Sequence, residues 1–182
     1  MNALSLKLIR SLGPMLVLLP LPLIASAGNG ATPLIDEVRN ATMQYLEIST
    51  ALAQNFVAAT PCVSGPDAGA MGVHFIRMDR VKNLLLDAKQ PQALIYEPMT
   101  DGAMRLVGVE YIVLDANWSA VNPPGSAPAL EGNLLNYVAT PNRYGLPAFW
   151  EMHVWAWQQN PKGSYADWNT HVTCANQPLP MR

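Results

Sequence analysis

The sequence predicts an α+β fold in which an antiparallel sheet of about four strands packs on a long N-terminal helix. The helix is indicated by apolar residues that recur at three- and four-residue steps between Leu34 and Phe56. The sheet is indicated by largely apolar, alternating runs near residues 73–77, 92–97, 103–114 and 148–158. A ferredoxin-like strand order fits the middle of the chain, and a small barrel-like sheet is the alternative.

Both ends of the predicted helix are marked by proline. Thr32 supplies a capping hydroxyl, Pro33 suits the first helical turn, and Asp36 lies near the positive end of the helix dipole. The residue before a proline avoids helical backbone angles, so Thr60-Pro61 bounds the helix on the other side. We therefore expect one helix that buries a single apolar stripe against the sheet.

Glycine and proline separate the predicted strands. Residues 62–72 contain three glycines, Gly65, Gly69 and Gly72, together with Pro66, and this composition predicts a loop. Asp101-Gly102 predicts the turn of a hairpin. Residues 116–147 are rich in proline, glycine and asparagine, which is typical of a long covering or functional loop.

The first 27 residues have the features of a cleaved signal peptide. Lys7 and Arg10 precede an apolar run over residues 12–24, and Ala25-Ser26-Ala27 suits a signal peptidase. The run is too short to anchor the chain comfortably in a bilayer. We therefore expect residues 1–27 to be removed and residues 28–182 to form a single exported domain, periplasmic or secreted, with no membrane anchor.

The chain has two cysteines, Cys62 and Cys174. In an oxidising compartment an isolated pair of cysteines is expected to form a disulfide, here with a structural role. The spacing lacks the C-x-x-C pattern of a redox or metal site.

The charge balance disfavours a nucleic-acid partner. Of the 11 basic residues, Lys7 and Arg10 leave with the signal peptide, so nine remain against 13 acidic residues. No run of lysine or arginine is present to replace the counterions of a phosphate backbone. A small molecule or a metal ion is therefore the expected partner.

Three ionisable residues, His74, Glu110 and His153, interrupt the apolar faces of predicted strands. Because an unpaired buried charge is costly, each must be hydrogen-bonded, neutralised, ion-paired or bound to a metal. We predict that the three converge on one divalent ion (zinc, iron, copper or manganese), with Glu97 or Glu151 as an extra ligand and open positions for water or substrate. The alternative is that each is satisfied separately within the core.

The geometry of the hairpin decides whether Glu97 can bind the same ion as Glu110. A two-residue turn at Asp101-Gly102 places Glu97 on the face of Glu110 but about 14 Å away along the ladder, too far for both to bind one ion. A five-residue loop over residues 98–102 instead places Glu97 beside Arg105 as a diagonal ion pair. The sequence is compatible with both arrangements.

Aromatic residues suggest a second kind of site. Trp155 and Trp157 are expected to share a strand face with His153 and to border a pocket beneath the loop 116–147. With Tyr111 and Arg143 they are the candidate ligand-binding residues, and core packing is the alternative for the aromatic rings. A metal-free aromatic-lined binding module, or a structural envelope protein without a site, is thus the alternative to a metal centre. No serine lies in a nucleophile elbow, so no catalytic residue is assigned.

Three segments of the chain are distinctive: residues 62–66 (CVSGP), residues 69–75 (GAMGVHF), and residues 142–157, which begin with NRYGLP and end with HVWAW. These segments resemble a family of secreted bacterial proteins of unknown function, and the likeness covers nearly all of the chain after the signal peptide. The resemblance implies an exported single-domain protein. It brings no activity, cofactor or catalytic residue.

Overall fold

The computed structural model describes residues 33–65 and 68–177, and the predicted signal peptide over residues 1–27 lies outside these ranges. The predicted α+β class is confirmed. The helices are α1 Pro33–Thr42, α2 Ile48–Ala53, α3 Met78–Val81 and α4 Asp115–Ser119, with a 3₁₀ turn at Met43–Leu46. The strands are β1 Val57–Ala58, β2 Val63–Gly65, β3 Gly69–Ile76, β4 Ala93–Pro98, β5 Met104–Leu114, β6 Ala129–Leu130, β7 Asn133–Leu134, β8 Asn136–Val138 and β9 Phe149–Val154.

The main sheet of the described residues has seven strands in the order β1-β3-β4-β5-β9-β8, with β2 also paired to β3. Its strand pairs are antiparallel. The four predicted strands correspond to β3, β4, β5 and β9, which lie side by side. From β3 to β5 the strands follow one another as in a meander, so the ferredoxin-like order is wrong. The path ends at β1 and β8 and does not close as a small barrel.

The prediction of one long N-terminal helix is also wrong. Helix α1 has ten residues and the 3₁₀ turn four, and Glu47 is extended before α2 begins. The break lets Tyr45 and Phe56 pack ring to ring, with centroids 5.3 Å apart. Asn55, at a φ of 64°, ends the helical segment. The apolar spacing runs through the break because every piece buries side chains in the same core.

Strand β3 begins inside the segment that the sequence predicts as a loop over residues 62–72. Gly72 has a φ of +100°, and a Cβ there would lie 2.7 Å from the backbone oxygen of Tyr96. This position therefore requires glycine, as the composition of the segment indicates. The pairing of β2 with β3 shifts register just before Gly72, a bulge that re-aims the side chains preceding His74.

The two faces of the sheet are covered by different parts of the chain. On the first face, Leu34 and Val38 of α1 belong to the same apolar core as the buried residues of the central strands. The second face is covered by the segment around Tyr144, whose ring lies 6.2 Å from that of Phe149, and by the C-terminal tail through Val172. The site described below lies on this second face.

The predicted disulfide between Cys62 and Cys174 is confirmed. It joins the segment before β2 to the tail that covers the second face. With 112 residues of sequence separation, it stabilises the fold by roughly 4 to 5 kcal/mol on the chain-entropy estimate. In the described part of the chain, no helix is both long and apolar enough to cross a membrane.

Candidate metal centre

The sheet brings His74, Glu110 and His153 together on its second face, from β3, β5 and β9 respectively. Glu110 and His153 lie directly opposite each other in the β5–β9 register, so they are cross-strand neighbours. Glu110 also faces Ala93 on β4, the strand between β3 and β5. His74 lies opposite Ile95 on β4, and its ring extends across that strand towards Glu110.

Two nitrogens and one oxygen meet in this cluster. Nε2 of His74 lies 3.4 Å from Nε2 of His153 and 3.5 Å from Oε2 of Glu110. One ligand atom from each residue lies within 4.8 Å of the other two. Ligands of a tetrahedral zinc ion lie about 3.3 Å apart, because each bond to zinc is about 2.0 to 2.1 Å long. The three side chains can therefore hold one ion.

Each imidazole ring is also contacted on its other side. Nδ1 of His153 lies 2.8 Å from Oε2 of Glu151, and Nδ1 of His74 lies 3.3 Å from the hydroxyl of Thr60. Histidines that bind metals usually have such a second partner, which holds the ring with its other nitrogen towards the ion. Glu151, which the sequence suggested as an extra ligand, thus contacts His153 on the side away from His74.

Burial shifts the pKa values of the clustered groups. Desolvation, together with nearby His153, lowers the pKa of His74 to about 3. Desolvation raises the pKa of Glu110 to about 8 against the attraction of His153. Burial by itself lowers the pKa of His153, but the carboxylates of Glu151, Glu110 and Asp167 together outweigh burial and raise this pKa to about 9. The cluster therefore holds its groups far from their ordinary charge states.

A pocket of about 300 Å³ opens beside the cluster. This volume is at the lower end of the range of small-molecule sites. Glu110, His153 and Glu151 line the pocket together with Met71, Val138, Asn142, Arg143, Tyr144, Phe149, Asp167 and Trp168. A second cavity of about 30 Å³ is lined by His74, Glu110 and Tyr144 among others. The cluster thus borders space on two sides, and Tyr144 lines both.

Arg143 and Tyr144 form part of the pocket wall. The guanidinium of Arg143 lies 5.5 Å from the ring centroid of Trp168, and its Nη2 donates to the backbone oxygen of Ser64 at 3.4 Å. The hydroxyl of Tyr144 donates to Sδ of Met71 at 3.4 Å, and burial raises the pKa of this phenol to about 12. Of the four predicted ligand-binding residues, Arg143 is the one that lines this pocket.

Glu97 is not part of the cluster, and its prediction as a ligand is wrong. One carboxylate oxygen accepts a hydrogen bond from Arg105 at 2.5 Å, and the other accepts from the backbone N–H of Thr173 at 2.9 Å. The register pairs Glu97 directly with Arg105, because the loop of the hairpin is longer than two residues. Glu97 therefore follows the ion-pair alternative, as a direct rather than a diagonal pair.

Trp155 and Trp157 do not share a face, contrary to the prediction. Strand β9 ends at Val154, so the strand alternation does not continue to Trp157. Trp155 is buried on the second face, stacks at 6.0 Å on the ring of His153, and donates from Nε1 to the backbone oxygen of Ala166. Trp157 packs against the core on the first face, where its Nε1 donates to the hydroxyl of Thr42 at 3.0 Å. The two rings form no common ligand surface.

Tyr111 is also a core residue and not a ligand-binding one. Its side chain is fully buried in the core of the first face. The hydroxyl donates to the backbone oxygen of Ala88 at 2.6 Å, which satisfies the only polar atom of the side chain. Core packing, the alternative for the aromatic residues, therefore describes Tyr111.

Asp167 is the residue that sequence reasoning missed. With Glu151 and His153 it forms a second group whose ligand atoms lie within 4.8 Å of one another. Asp167 lies in an irregular segment without hydrophobic periodicity, so no pattern singles it out. The segment is held against the sheet just after Asp167, where the backbones of Asn169 and of Ala70 on β3 exchange two hydrogen bonds at 3.1 Å.

No family model, curated protein or solved structure matches this chain. The resemblance to secreted bacterial proteins therefore stays a prediction, and the site is interpreted from its own geometry.

Proposed function

We propose that this protein binds a divalent transition-metal ion through Nε2 of His74, Nε2 of His153 and the carboxylate of Glu110. The observation that carries the proposal is the convergence of these ligand atoms, from three strands, within 4.8 Å of one another. A protein that is exported and closed by the Cys62–Cys174 disulfide would carry this ion outside the cytoplasm.

The cost of burying the cluster supports a metal ion over a structural role. His74, Glu110 and His153 are 5%, 6% and 2% exposed, and Nε2 of His74 lies 3.4 Å from Nε2 of His153 and 3.5 Å from the carboxylate of Glu110. Apolar residues at these positions would pack the sheet without the desolvation cost of ionisable groups. A divalent cation repays that cost, because it attracts the carboxylate and accepts the lone pairs of both imidazoles.

The donor set indicates the class of metal. Two imidazoles and one carboxylate suit zinc, iron, copper or manganese, and leave positions open for a further ligand. The observed separations of 3.4 and 3.5 Å are close to the edge of a tetrahedron around zinc, about 3.3 Å, and longer than the edge of an octahedron, about 2.9 Å. Zinc in a tetrahedral site with one open position is thus the best fit.

The pocket beside the cluster supports a small ligand at the open position. Glu110 and His153 line it, and so do Arg143 and Trp168. The guanidinium of Arg143, held over Trp168, can bind a carboxylate or a similar oxyanion while the rest of the ligand reaches the ion. The metal-free aromatic module is less well supported, because Trp155 and Trp157 lie on different faces.

Zinc titration of the purified, disulfide-bonded protein tests the proposal. We expect tight binding, and the ion held by His74, Glu110 and His153 should bind at least about tenfold more weakly in His74→Gln, since the variant removes a ligand. The chain has a third histidine, His171, which is exposed and lies outside the cluster, so His171→Gln is the matched control and should bind like the wild type. A wild type that binds no zinc, or equal affinities in the two variants, would overturn the proposal.

A further inference from the structure

We propose that a second divalent ion binds on the pocket side of His153, held by Nδ1 of His153 and the carboxylates of Glu151 and Asp167. The inference rests on the proposed function, because His153 would then bridge two ions through its two ring nitrogens. Zinc and manganese are the expected ions, since one imidazole and two carboxylates form a harder donor set than the inner site.

The first observation is the grouping itself. Glu151, His153 and Asp167 each offer one ligand atom within 4.8 Å of the other two, and all three line the pocket of about 300 Å³. The inner group of His74, Glu110 and His153 uses Nε2 of His153, whereas Nδ1 faces Glu151. The two groups therefore need different atoms of the shared residue and do not compete for it.

The second observation concerns the contact between Glu151 and His153. Oε2 of Glu151 and Nδ1 of His153 are buried and lie 2.8 Å apart as an ion pair, and the contact lacks the geometry of an aligned hydrogen bond. Two adjacent ligands with metal bonds of about 2.0 to 2.1 Å lie about 2.9 Å apart. The pair thus has the spacing of two ligands on one ion without the alignment of a hydrogen bond.

The local charges favour a cation at this position. Glu151 is 4% exposed and the carboxyl group of Asp167 lies beside it, with the amide of Asn136 donating to Oδ1 of Asp167 at 3.3 Å. Burial and the nearby charge of Glu151 raise the pKa of Asp167, so the two carboxyl groups repel each other when both are ionised. Arg143 lines the same pocket, but its guanidinium lies over Trp168 and forms no ion pair with either carboxylate among the residues described. A divalent ion between the two carboxylates would remove their repulsion.

The two ions would be bridged by the imidazole ring. The ring nitrogens lie about 2.2 Å apart and each metal–nitrogen bond adds about 2 Å, which places the ions about 6 Å from each other. One water molecule is too small to bridge them. When the second ion binds, Nδ1 of His153 gives up its proton to the solvent, and its lone pair forms the new bond to the metal.

Metal stoichiometry tests the second site. After equilibration with zinc and removal of free ion, we expect two ions per chain in the wild type and one in Asp167→Asn. Asp36→Asn is the matched control, because Asp36 lies on α1 at the opposite face and pairs with Arg39; it should retain two ions. In His74→Gln, which removes a ligand of the inner site alone, one ion should remain, and this variant also serves if Asp167→Asn does not fold.

Copper(II) supplies a second readout. An imidazolate bridge couples the unpaired electrons of two copper ions, so the wild type should show a weaker paramagnetic resonance signal per copper than Asp167→Asn. One ion per chain in the wild type, or two in Asp167→Asn, would overturn the second site and leave the proposed function standing. No bound ion in the wild type would overturn both.

Discussion

The two faces of the sheet are built by alternate residues of the same strands, yet they differ in the polar groups that they bury and in the partners of those groups. On the first face, Tyr96 and Tyr111 bury their rings and each donates its hydroxyl to one backbone oxygen at 2.6 Å. On the second face, His74, Glu110 and His153 bury ionisable groups within 3.5 Å of one another along the cluster.

This difference indicates that the first face serves the stability of the fold and the second face serves a binding site. On the first face every buried hydroxyl named above has one neutral partner, which is what stability requires. On the second face the arrangement costs stability, because desolvation holds the pKa of Glu110 near 8 and that of His74 near 3. A stable fold does not need such a cluster, and the pocket beside it gives a ligand access. The predictions below test whether the two faces can be changed independently.

The largest change in the free energy of unfolding is expected from a substitution in the core of the first face. Leu94 is fully buried, so Leu94→Ala should lower the free energy of unfolding by about 2 to 5 kcal/mol through a cavity in the core. Zinc stoichiometry should not change, because Leu94 points away from the cluster. Urea denaturation and zinc titration measure the two quantities. Leu52→Ala, at a residue 52% exposed, is the control and should cost less than about 0.5 kcal/mol. Loss of zinc binding in folded Leu94→Ala would show that the faces are coupled.

A smaller change in the free energy of unfolding, and an increase instead of a decrease, is expected from Glu110→Gln in metal-free protein. Glu110 ionises near pH 4.5 in the unfolded chain and near pH 8 in the folded one, so between these values the folded state binds more protons. The free energy of unfolding contributed by Glu110 therefore falls as pH rises from 4.5 to 8. Glutamine removes this loss and should stabilise the protein by about 1 to 3 kcal/mol at pH 8, with little change at pH 4.

Urea denaturation at several pH values measures this difference. Glu47→Gln serves as the control, since Glu47 is exposed and should give a curve parallel to that of the wild type. Parallel curves for Glu110→Gln and the wild type would contradict the assigned burial cost of Glu110.

The smallest effect is expected at the far end of the second face. Glu97→Gln weakens the ion pair with Arg105, which is half exposed, and should cost about 1 kcal/mol of stability. Zinc affinity should stay at the wild-type value, because Glu97 lies four residues along β4 from Ala93, the partner of Glu110. A tenfold fall in zinc affinity, measured by the same titration, would return Glu97 to the ligand set.

Local pattern was sufficient to predict the strands and the members of the inner cluster. Strand alternation alone marks His74 and Glu110 as ionisable residues on apolar faces, because successive side chains of a strand point to opposite sides. The disulfide followed from there being two cysteines, Cys62 and Cys174, in a chain expected to be exported. These inferences need only near neighbours in sequence or a count of residues.

Other features depend on where elements end, which local pattern marks poorly. The break at Glu47 preserves the apolar spacing, so the sequence reads as one helix although the chain turns. In the sequence, Trp157 continues the alternation of β9, but the strand ends at Val154. The chain beyond that point no longer alternates, so Trp157 lies on the face opposite to the predicted one. The position of Glu97 relative to Glu110 and Arg105 depended on the length of the hairpin loop, and the sequence was compatible with two loop lengths.

The sequence by itself determined the α+β class, the central strands, the disulfide pair and the three residues of the inner cluster, since each is encoded by side-chain type and short-range periodicity. Only the tertiary structure decided that His74 reaches across β4 to Glu110, that Glu151 contacts the far side of His153, and that Asp167 joins them. These contacts join residues that are distant in the chain. They follow from register and from the path of an irregular segment, which depend on the packing of the whole fold.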